Sequence, residues 1–317
     1  MNSHLRAYAP EIGKFEHRRL TAMGEPRASV ALGVLETLWF NTGTVCNIEC
    51  VNCYIESSPK NDALAYLKPG DVRDFLDQAA EFAHPVREVG FTGGEPFMNP
   101  DMIELTEIAL ARGHEVLILT NAMRPMMRTR IREGLRRLNS DYPGKMTLRV
   151  SLDHHMPAKN DEIRGRGSFD IALAGLRWLR DHDFSIAVAG RTLWGEDEAG
   201  TRAGFGKLFR DLGVVLDAAN PRDLVLFPEM NAAADVPEIT PACWDILKKT
   251  PSDVMCANTR MVVRRRNAEH PVVVACTLLP HEAEFELGNT LAKAGGEVFL
   301  NHPHCAKFCV LGGAACS

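Results

Sequence analysis

The chain has 317 residues, a formal net charge of −5 and an apolar content of 45%, which are typical of globular proteins and exclude disordered, collagen-like and coiled-coil chains. The mildly acidic balance gives no electrostatic reason to expect nucleic-acid binding. No apolar run approaches the roughly 18 residues of a membrane span, and the first 20 residues lack the apolar core of a secretory signal, so we expect a cytoplasmic protein without a membrane partner.

Short apolar runs alternate with amphipathic stretches from residue 36 to about residue 227, which is typical of repeated β/α units. Residues 116–119 are apolar without alternation, as expected of a parallel strand buried on both faces. Pro69-Gly70-Asp71 and Ser168 predict the starts of two intervening helices. The predicted strands are residues 36–41, 88–92, 115–120, 146–151, 185–190 and 223–227. Six such units predict an α/β fold, a (β/α)6 partial TIM barrel, because a closed barrel of eight units typically takes about 250 residues.

The chain divides into three predicted regions. Residues 1–35 form an N-terminal extension without a recognisable pattern, and residues 36–230 form the barrel. Residues 231–317 combine a linker with a small cysteine-rich C-terminal extension, because four prolines between residues 228 and 251 interrupt the chain there. An extension of this size builds little core of its own and usually depends on a metal or a disulfide to fold.

The nine cysteines are clustered, and in a reducing cytosol such thiols are more often metal ligands or catalytic groups than disulfides. Cys46, Cys50 and Cys53 fall within eight residues. A second group lies toward the C-terminus and consists of Cys256, Cys276, Cys305, Cys309 and Cys316. Cys243 stands apart from both groups next to Trp244 and is predicted to be a packed core thiol.

The first group directly follows the first predicted strand. Gly43 and Thr44 before it, and residues 57–59 after it, indicate a loop rather than a helix that buries three thiols on one face. Four cysteines would close a [4Fe–4S] cluster as an electron carrier, whereas three leave one iron open to a substrate or cofactor. Because ligands bind at the carboxyl ends of parallel strands, we expect the loop to lie at that edge of the sheet.

Residues 46–54, CNIECVNCY, are similar to the CxxxCxxC motif of the radical S-adenosylmethionine (radical SAM) superfamily. The resemblance implies a [4Fe–4S] cluster on Cys46, Cys50 and Cys53 whose open iron binds S-adenosylmethionine. In that family an electron from the cluster cleaves this cofactor to a 5′-deoxyadenosyl radical, which abstracts hydrogen from the substrate. The cofactor then carries the difficult chemistry, and the protein supplies placement and exclusion of water.

Further motifs follow in the family's order. Gly93-Gly94-Glu95-Pro96, after the second strand, resembles the GGEP motif, whose carbonyls and glutamate hold the methionyl ammonium. Thr120-Asn121, after the third strand, resembles the TNG motif with Ala122 in place of glycine. Both segments are therefore expected to bind the cofactor.

The end of the fourth strand resembles one large subgroup of the family. Ser151-Leu152-Asp153, followed by Arg164 and by Gly167-Ser168-Phe169, is similar to its SLD, arginine and GSF pattern. The resemblance implies that Ser151 contacts the ribose of S-adenosylmethionine. Arg164 and Arg191 are both candidates for the carboxylate, and each could instead be a surface salt-bridge partner.

The second cysteine group resembles a shortened SPASM or twitch domain, an extension that holds auxiliary iron–sulfur clusters in many radical SAM enzymes. The resemblance implies an auxiliary [4Fe–4S] cluster, and five cysteines with altered spacing favour one cluster over two. Cys276, Cys305 and Cys309 are the predicted ligands, with Cys256 and Cys316 as alternatives for the fourth position. A zinc site would also fasten a small extension and is the alternative for the metal.

Two sets of charged residues allow more than one interpretation. Asp153 and Glu229, at strand ends, could line the substrate cavity as a general base or could cap the following segment. Six arginines between residues 124 and 137 could form a phosphate-binding face, but a solvated outer helix is the commoner explanation.

We therefore predict a radical SAM iron–sulfur oxidoreductase that oxidatively modifies a peptide or a small molecule. Its expected electron donor is a protein such as flavodoxin or ferredoxin. A redox-neutral radical SAM epimerase or rearrangement enzyme is the alternative within the same class. A non-catalytic iron–sulfur or zinc protein that binds a partner is the alternative outside it.

Overall fold

The structure, a computed structural model, describes residues 13–229 and 235–312. Its strands, in chain order, are β1 Ser29–Val30, β2 Thr37–Asn41, β3 Glu88–Thr92, β4 Glu115–Thr120, β5 Met146–Ser151, β6 Ser185–Arg191, β7 Leu224–Phe227, β8 Thr259–Val263, β9 Val272–Val274, β10 Glu286–Gly288 and β11 Val298–Phe299. Its α-helices are α1 Pro69–Ala80, α2 Met102–Ala111, α3 Thr129–Asp141, α4 Pro157–Arg164, α5 Ser168–Arg180, α6 Glu198–Leu212 and α7 Ala242–Leu247.

Strands β2 to β7 form the predicted barrel sheet. They pair in parallel and in sequence order, each with the strand before it. Helices connect them on the outside, as the right-handed crossover between parallel strands requires. The α/β partial barrel predicted from the sequence is confirmed, and its strands begin and end within one residue of the predicted limits.

The two helix starts read from the sequence are also confirmed. Helix α1 begins at Pro69, where Asp71 accepts a hydrogen bond from the Lys68 amide at 2.9 Å, and it buries Val72, Phe75 and other apolar residues against the sheet. Helix α5 begins at Ser168 and buries its apolar face in the same core. Within the described part of the chain, no helix combines the length and the apolar composition that a bilayer span needs.

Alternate residues of the barrel strands face two different cores, because successive side chains of a strand point to opposite faces. Leu38 and Phe40 of β2 pack between the sheet and its helices. Trp39, between them, packs on the inner face together with residues of the C-terminal region. Gly90 of β3 leaves room for this indole, since a Cβ at that position would lie 2.3 Å from the Trp39 ring. The barrel interior and the C-terminal region thus share one core.

The C-terminal region extends the barrel sheet, which the sequence analysis did not foresee. Strand β8 pairs in parallel with β2, so that Thr37 lies opposite Thr259. Strands β9 and β10 add antiparallel partners beyond β8, and β1 pairs with β11 in a separate two-stranded sheet. The region boundaries at residues 35 and 230 remain predictions, and residues 1–12 and 230–234 lie outside the described residues.

Candidate functional site

A cavity of about 1010 Å³, part of it continuous with solvent, lies at the carboxyl ends of the barrel strands. This is the edge at which parallel α/β sheets bind their ligands. Its walls are formed by the loop after β2, by the ends of β3 to β7 and by two residues of the C-terminal region. The residues that carry polar or sulfur groups in this wall include Cys46, Cys50, Cys53, Thr120, Asn121, Arg149, Ser151, Asp153, Arg164 and Arg191.

The loop after β2 brings all three cysteines of the first group to this cavity. The Cys46 amide donates to the Ser58 carbonyl at 3.1 Å, and the Val51 amide donates to the Ile163 carbonyl at 2.9 Å, so the loop is fixed on both sides. Burial raises the pKa of the Cys46 thiol to about 12 and also raises the pKa of Cys50. Without a metal these thiols remain protonated, and a metal that binds them must displace their protons.

The donor set fits a [4Fe–4S] cluster held by three thiolates. Among residues 13–229 and 235–312, no three histidine, cysteine or carboxylate side chains are grouped closely enough to hold a single metal ion. Cluster ligands differ from the ligands of one ion, because each thiolate binds a different iron and the sulfurs lie farther apart. Three thiols around one cavity suit that wider arrangement.

The two glycines after β3 pack directly against the cysteine loop. The Gly94 amide donates to the Gly43 carbonyl at 2.7 Å, and a Cβ at Gly94 would lie 2.4 Å from the Val45 carbonyl oxygen. Gly93 has a φ of 144°, which side chains other than hydrogen rarely allow. Glycine is therefore required here so that the two loops can meet, and both glycines line the cavity.

Glu95 is buried beside these glycines, and neither it nor Pro96 lines the cavity. Its carboxylate accepts hydrogen bonds from the Thr120 hydroxyl and the Asn121 amide, each at 2.8 Å. Burial raises the pKa of Glu95 to about 7, although these donors favour the ionised form. Thr120 and Asn121 thus hold Glu95 next to the cavity, and the Asn121 side chain also donates to Asn47 in the cysteine loop at 2.9 Å.

A buried carboxylate between two guanidinium groups lies next to the cysteine loop, where Arg191 Nη2 donates to the Asn52 carbonyl at 3.4 Å. Arg164 Nε lies 2.9 Å from Asp153 Oδ2, and Arg191 Nε lies 3.3 Å from Asp153 Oδ1. Arg191 Nη1 is buried without a hydrogen-bond partner among the described residues. Two cations therefore share one anion, and the surplus positive charge suits a carboxylate ligand. Neither arginine is a surface residue, and Ser151 lines the same cavity.

Glu229 differs from Asp153, with which it was paired in the sequence analysis. Asp153 is buried and lines the cavity, where its contacts with both arginines leave it as their counter-charge. Glu229 is half-buried and is not among the residues that line this cavity.

The second cysteine group also converges. Cys256, Cys276, Cys305 and Cys309 are all buried around a cavity of about 340 Å³, part of it continuous with solvent, whose other walls are largely apolar. Cys305 and Cys309 lie one π-helical turn apart in the segment Cys305–Leu311. Burial, with the neighbouring Cys276 and Cys256, raises the pKa of Cys305. Cys256 is the fourth thiol at this cavity, and Cys316, the other candidate for that position, lies outside the described residues.

This donor set fits a metal centre that is fully ligated by protein. Four thiols around one small cavity supply the four thiolates that close a [4Fe–4S] cluster. Zinc also takes four thiolates, but in the described residues these thiols are not grouped as closely as a single ion requires. The set contrasts with the three thiols of the first cavity, which leave a coordination position for a ligand.

The apolar wall of the first cavity is not apparent from the sequence. Leu278 and Phe308 come from the C-terminal region, next to Cys276 and Cys309, and Phe308 packs on Phe227 with ring centroids 5.2 Å apart. Nothing in the local sequence indicates that contact. Arg149 was also missed, but a signal exists, because it lies two residues before Ser151 in β5 and so faces the same side of the sheet.

Residues 40–197, about half of the chain, match the family described as the Radical SAM superfamily. The chain is 33% identical over 165 residues to the mycofactocin maturase MftC of Mycobacterium tuberculosis (strain ATCC 25618 / H37Rv). The aligned segment covers 50% of this chain and 39% of MftC. The chain is also 31% identical over 144 residues to the AdoMet-dependent heme synthase of Methanosarcina barkeri (strain Fusaro / DSM 804). Here the aligned segment covers 45% of this chain and 38% of the heme synthase. The match thus spans about two fifths of the length of these relatives.

The solved structure of native anSMEcpe with bound AdoMet and Cp18Cys peptide superposes with a TM-score of 0.55 and 12% identity, over 81% of this chain and 79% of that one. At this identity the likeness concerns the fold, and it agrees with the partial barrel and the C-terminal region described above. The family match runs from β2 to the loop before α6 and so contains the three cysteines, both glycines and both arginines of the cavity. The chain belongs to the radical SAM superfamily.

Proposed function

We propose that this protein is a radical SAM enzyme that oxidatively modifies a peptide or a small molecule. The single observation that carries the proposal is the convergence of three loop cysteines and two glycines on one cavity at the carboxyl ends of the barrel strands. A binding module needs no vacant iron position, whereas reductive cleavage of a cofactor does.

Different residues around the cavity bind different parts of S-adenosylmethionine. Cys46, Cys50 and Cys53 hold the [4Fe–4S] cluster, which when bound supplies the electron that cleaves the cofactor to methionine and a 5′-deoxyadenosyl radical. The backbone at Gly93 and Gly94, with Glu95 behind it, accepts from the methionyl ammonium.

Two further polar groups of the cofactor need partners, the ribose and the carboxylate, and the carboxylate is bonded to the same carbon as the ammonium. Ser151 contacts the ribose, and the guanidinium pair of Arg164 and Arg191 holds the carboxylate. Asp153 keeps both arginines in place and offsets one of their charges, so that the pair carries a net charge suited to one carboxylate.

The second cysteine set holds an auxiliary [4Fe–4S] cluster on Cys256, Cys276, Cys305 and Cys309. A closed cluster in an apolar pocket accepts or relays an electron, which is what an oxidative modification needs after hydrogen abstraction. The physiological donor to the first cluster is a small electron-transfer protein such as flavodoxin or ferredoxin.

The substrate lies against the apolar wall formed by Phe227, Leu278 and Phe308. Such a wall suits an apolar side chain that presents a carbon–hydrogen bond, and it excludes water from the radical. Peptides fit this description, and the superposed anSMEcpe structure has a peptide bound. The relatives named above include a maturase and a heme synthase, so a small metabolite is the other substrate class.

Anaerobic reconstitution tests the proposal. The reduced wild-type protein should convert S-adenosylmethionine to 5′-deoxyadenosine, measured by liquid chromatography. Cys50→Ala should abolish this product, and Cys243→Ala is the matched control because Cys243 is a half-buried free thiol outside both cavities. Absence of turnover in the intact protein would favour the binding module. With a substrate in hand, net consumption of one cofactor per product supports oxidation, whereas regeneration of S-adenosylmethionine supports a redox-neutral reaction.

A further inference from the structure

Arg260 is a fully buried cation that the proposed reaction does not use. It lies on β8, and its guanidinium donates to main-chain carbonyls: Nε to Ala294 at 2.8 Å, Nη1 to Cys256 at 2.6 Å and to Thr259 at 2.8 Å, and Nη2 to Gly296 at 3.3 Å. Carbonyl oxygens satisfy its hydrogen-bond donors, but they leave its charge without a counter-ion.

Within residues 13–229 and 235–312, no carboxylate lies within 4.0 Å of this guanidinium. Arg27, which is equally buried, shows the usual arrangement, because Glu238 lies 2.5 Å from it. An unpaired buried charge is strongly unfavourable, so a counter-charge is expected close by.

The anions available to Arg260 are the sulfurs of the second cysteine set. Its guanidinium donates to the Cys256 carbonyl at 2.6 Å, and Cys256 lines one pocket with Cys276, Cys305 and Cys309. A metal binds cysteines as thiolates, which carry negative charge. The positive charge of Arg260 is thus balanced by the cysteine thiolates when these cysteines bind a metal.

We propose that Arg260 is the counter-charge and positioning residue of the auxiliary metal centre, held on carbonyls so that it stabilises the thiolates of Cys256 and Cys276 and fixes the main chain of Cys256. The inference rests on the proposed assignment of this cysteine set to a [4Fe–4S] cluster. A tetrathiolate cluster is anionic and becomes more so on reduction, so a buried cation beside it favours the reduced state. Arg260 therefore sets the reduction potential of the auxiliary cluster above the value that the cysteines alone would give.

The experiment measures that potential in a Cys50→Ala background, where the auxiliary cluster gives the remaining signal. A redox titration monitored by electron paramagnetic resonance compares the protein that retains Arg260 with the Arg260→Met and Arg260→Lys variants. Loss of the charge in Arg260→Met should lower the equilibrium constant for one-electron reduction about tenfold, a shift of ~59 mV to more negative potential. Arg260→Lys, which keeps the charge, should recover most of the shift. Arg264→Met is the matched control, because Arg264 follows the same strand and is already paired with Asp71.

Each outcome decides the inference. A fully loaded Arg260→Met cluster with an unchanged potential would overturn it. If Arg260→Met loses the auxiliary iron and Arg260→Lys retains it, the rescue by charge supports it. Loss of that iron from both variants, with unchanged circular dichroism, would assign Arg260 to the fold alone and overturn the counter-charge. A wild-type protein with about four irons per chain instead of about eight would remove the auxiliary cluster and this inference with it. 5′-Deoxyadenosine formation would then still uphold the main proposal.

Discussion

The two cysteine sets of this protein use one residue type in two environments. Cys46, Cys50 and Cys53 lie in a loop at the rim of a large cavity that also contains guanidinium, hydroxyl and amide groups. The second set, with four thiols, is buried in a small cavity with largely apolar walls. The difference shows that the number of thiols and the space beside them determine what a centre can do. An open set can bind a reactant, whereas a closed set can pass electrons or fasten the fold.

Removing one ligand from each set tests this contrast most strongly. Cys53→Ser should lower the iron content from about eight to about four per chain and abolish 5′-deoxyadenosine formation, because the open iron belongs to this set. Cys305→Ser should lose the same amount of iron but retain cofactor cleavage. Iron analysis and chromatography of the two reconstituted variants make the measurement. If Cys305→Ser abolished cleavage and Cys53→Ser did not, the assignment of the two sets would be reversed.

The contact between the glycine segment and the cysteine loop is the next test. In Gly94→Ala, the added methyl would lie 2.4 Å from the Val45 carbonyl and 2.6 Å from the Thr44 carbonyl, so the loop must shift. We expect loss of the first cluster, with iron falling to about four per chain and the second cluster intact. Gly70→Ala is the control, because nothing lies within 4 Å of a Cβ there. Full iron and full activity in Gly94→Ala would contradict the required close approach.

The charge arrangement of the first cavity predicts a stability effect. Asp153→Asn removes the carboxylate that Arg164 and Arg191 share, leaving two buried cations facing each other. We expect a loss of about 3 kcal/mol in the free energy of unfolding, by analogy with other broken buried ion pairs. Denaturant titration measures it, with Asp170→Asn on the exposed face of α5 as control. An unchanged unfolding free energy would show that solvent already screens the pair.

Glu95, beside the first cavity, predicts a pH dependence of the unfolding free energy. The folded-state pKa of Glu95 is about 7 against an ordinary 4.5, so between these values the folded protein holds a proton that the unfolded chain has lost. Glu95 should therefore lower the unfolding free energy by about 3 kcal/mol as the pH rises from 4.5 to 7, and Glu95→Gln should remove this part of the slope. Glu133→Gln, on the exposed face of α3, should retain it. Equal slopes in Glu95→Gln and the wild type would rule out Glu95 as the group responsible.

The barrel could be predicted from the sequence because its strands are short, largely apolar segments separated by amphipathic stretches. Helix α4 was missed, since its eight residues bury little more than Asn160 and Ile163 and show no clear apolar period. Strands β9 and β10 are three residues long, and their place at the sheet depends on pairing with distant segments. Local pattern contains no information on such pairing.

In the candidate site, too, some features could be predicted from the local sequence and others depend on the folded structure. The motifs indicated most of the polar residues that line the first cavity, because each motif follows its own strand in the chain. Burial of Arg164 and Arg191 around Asp153 could not be predicted, because it depends on three separate segments that meet only in the folded protein. The position of Cys256 at the cavity of Cys276, Cys305 and Cys309 likewise depends on how the 3-10 segment Met255–Ala257 packs.

The pairing of β8 with β2 has a consequence for the order in which the nascent chain can fold. As the ribosome releases β3 to β7, each strand can join the edge left by the one before it. The other edge of β2 has no partner until Thr259 and its neighbours emerge. During that interval the nascent chain exposes an unpaired strand edge, the feature through which β-structured proteins aggregate. Translation of the C-terminal region therefore also covers the surface on which two unfinished chains would associate.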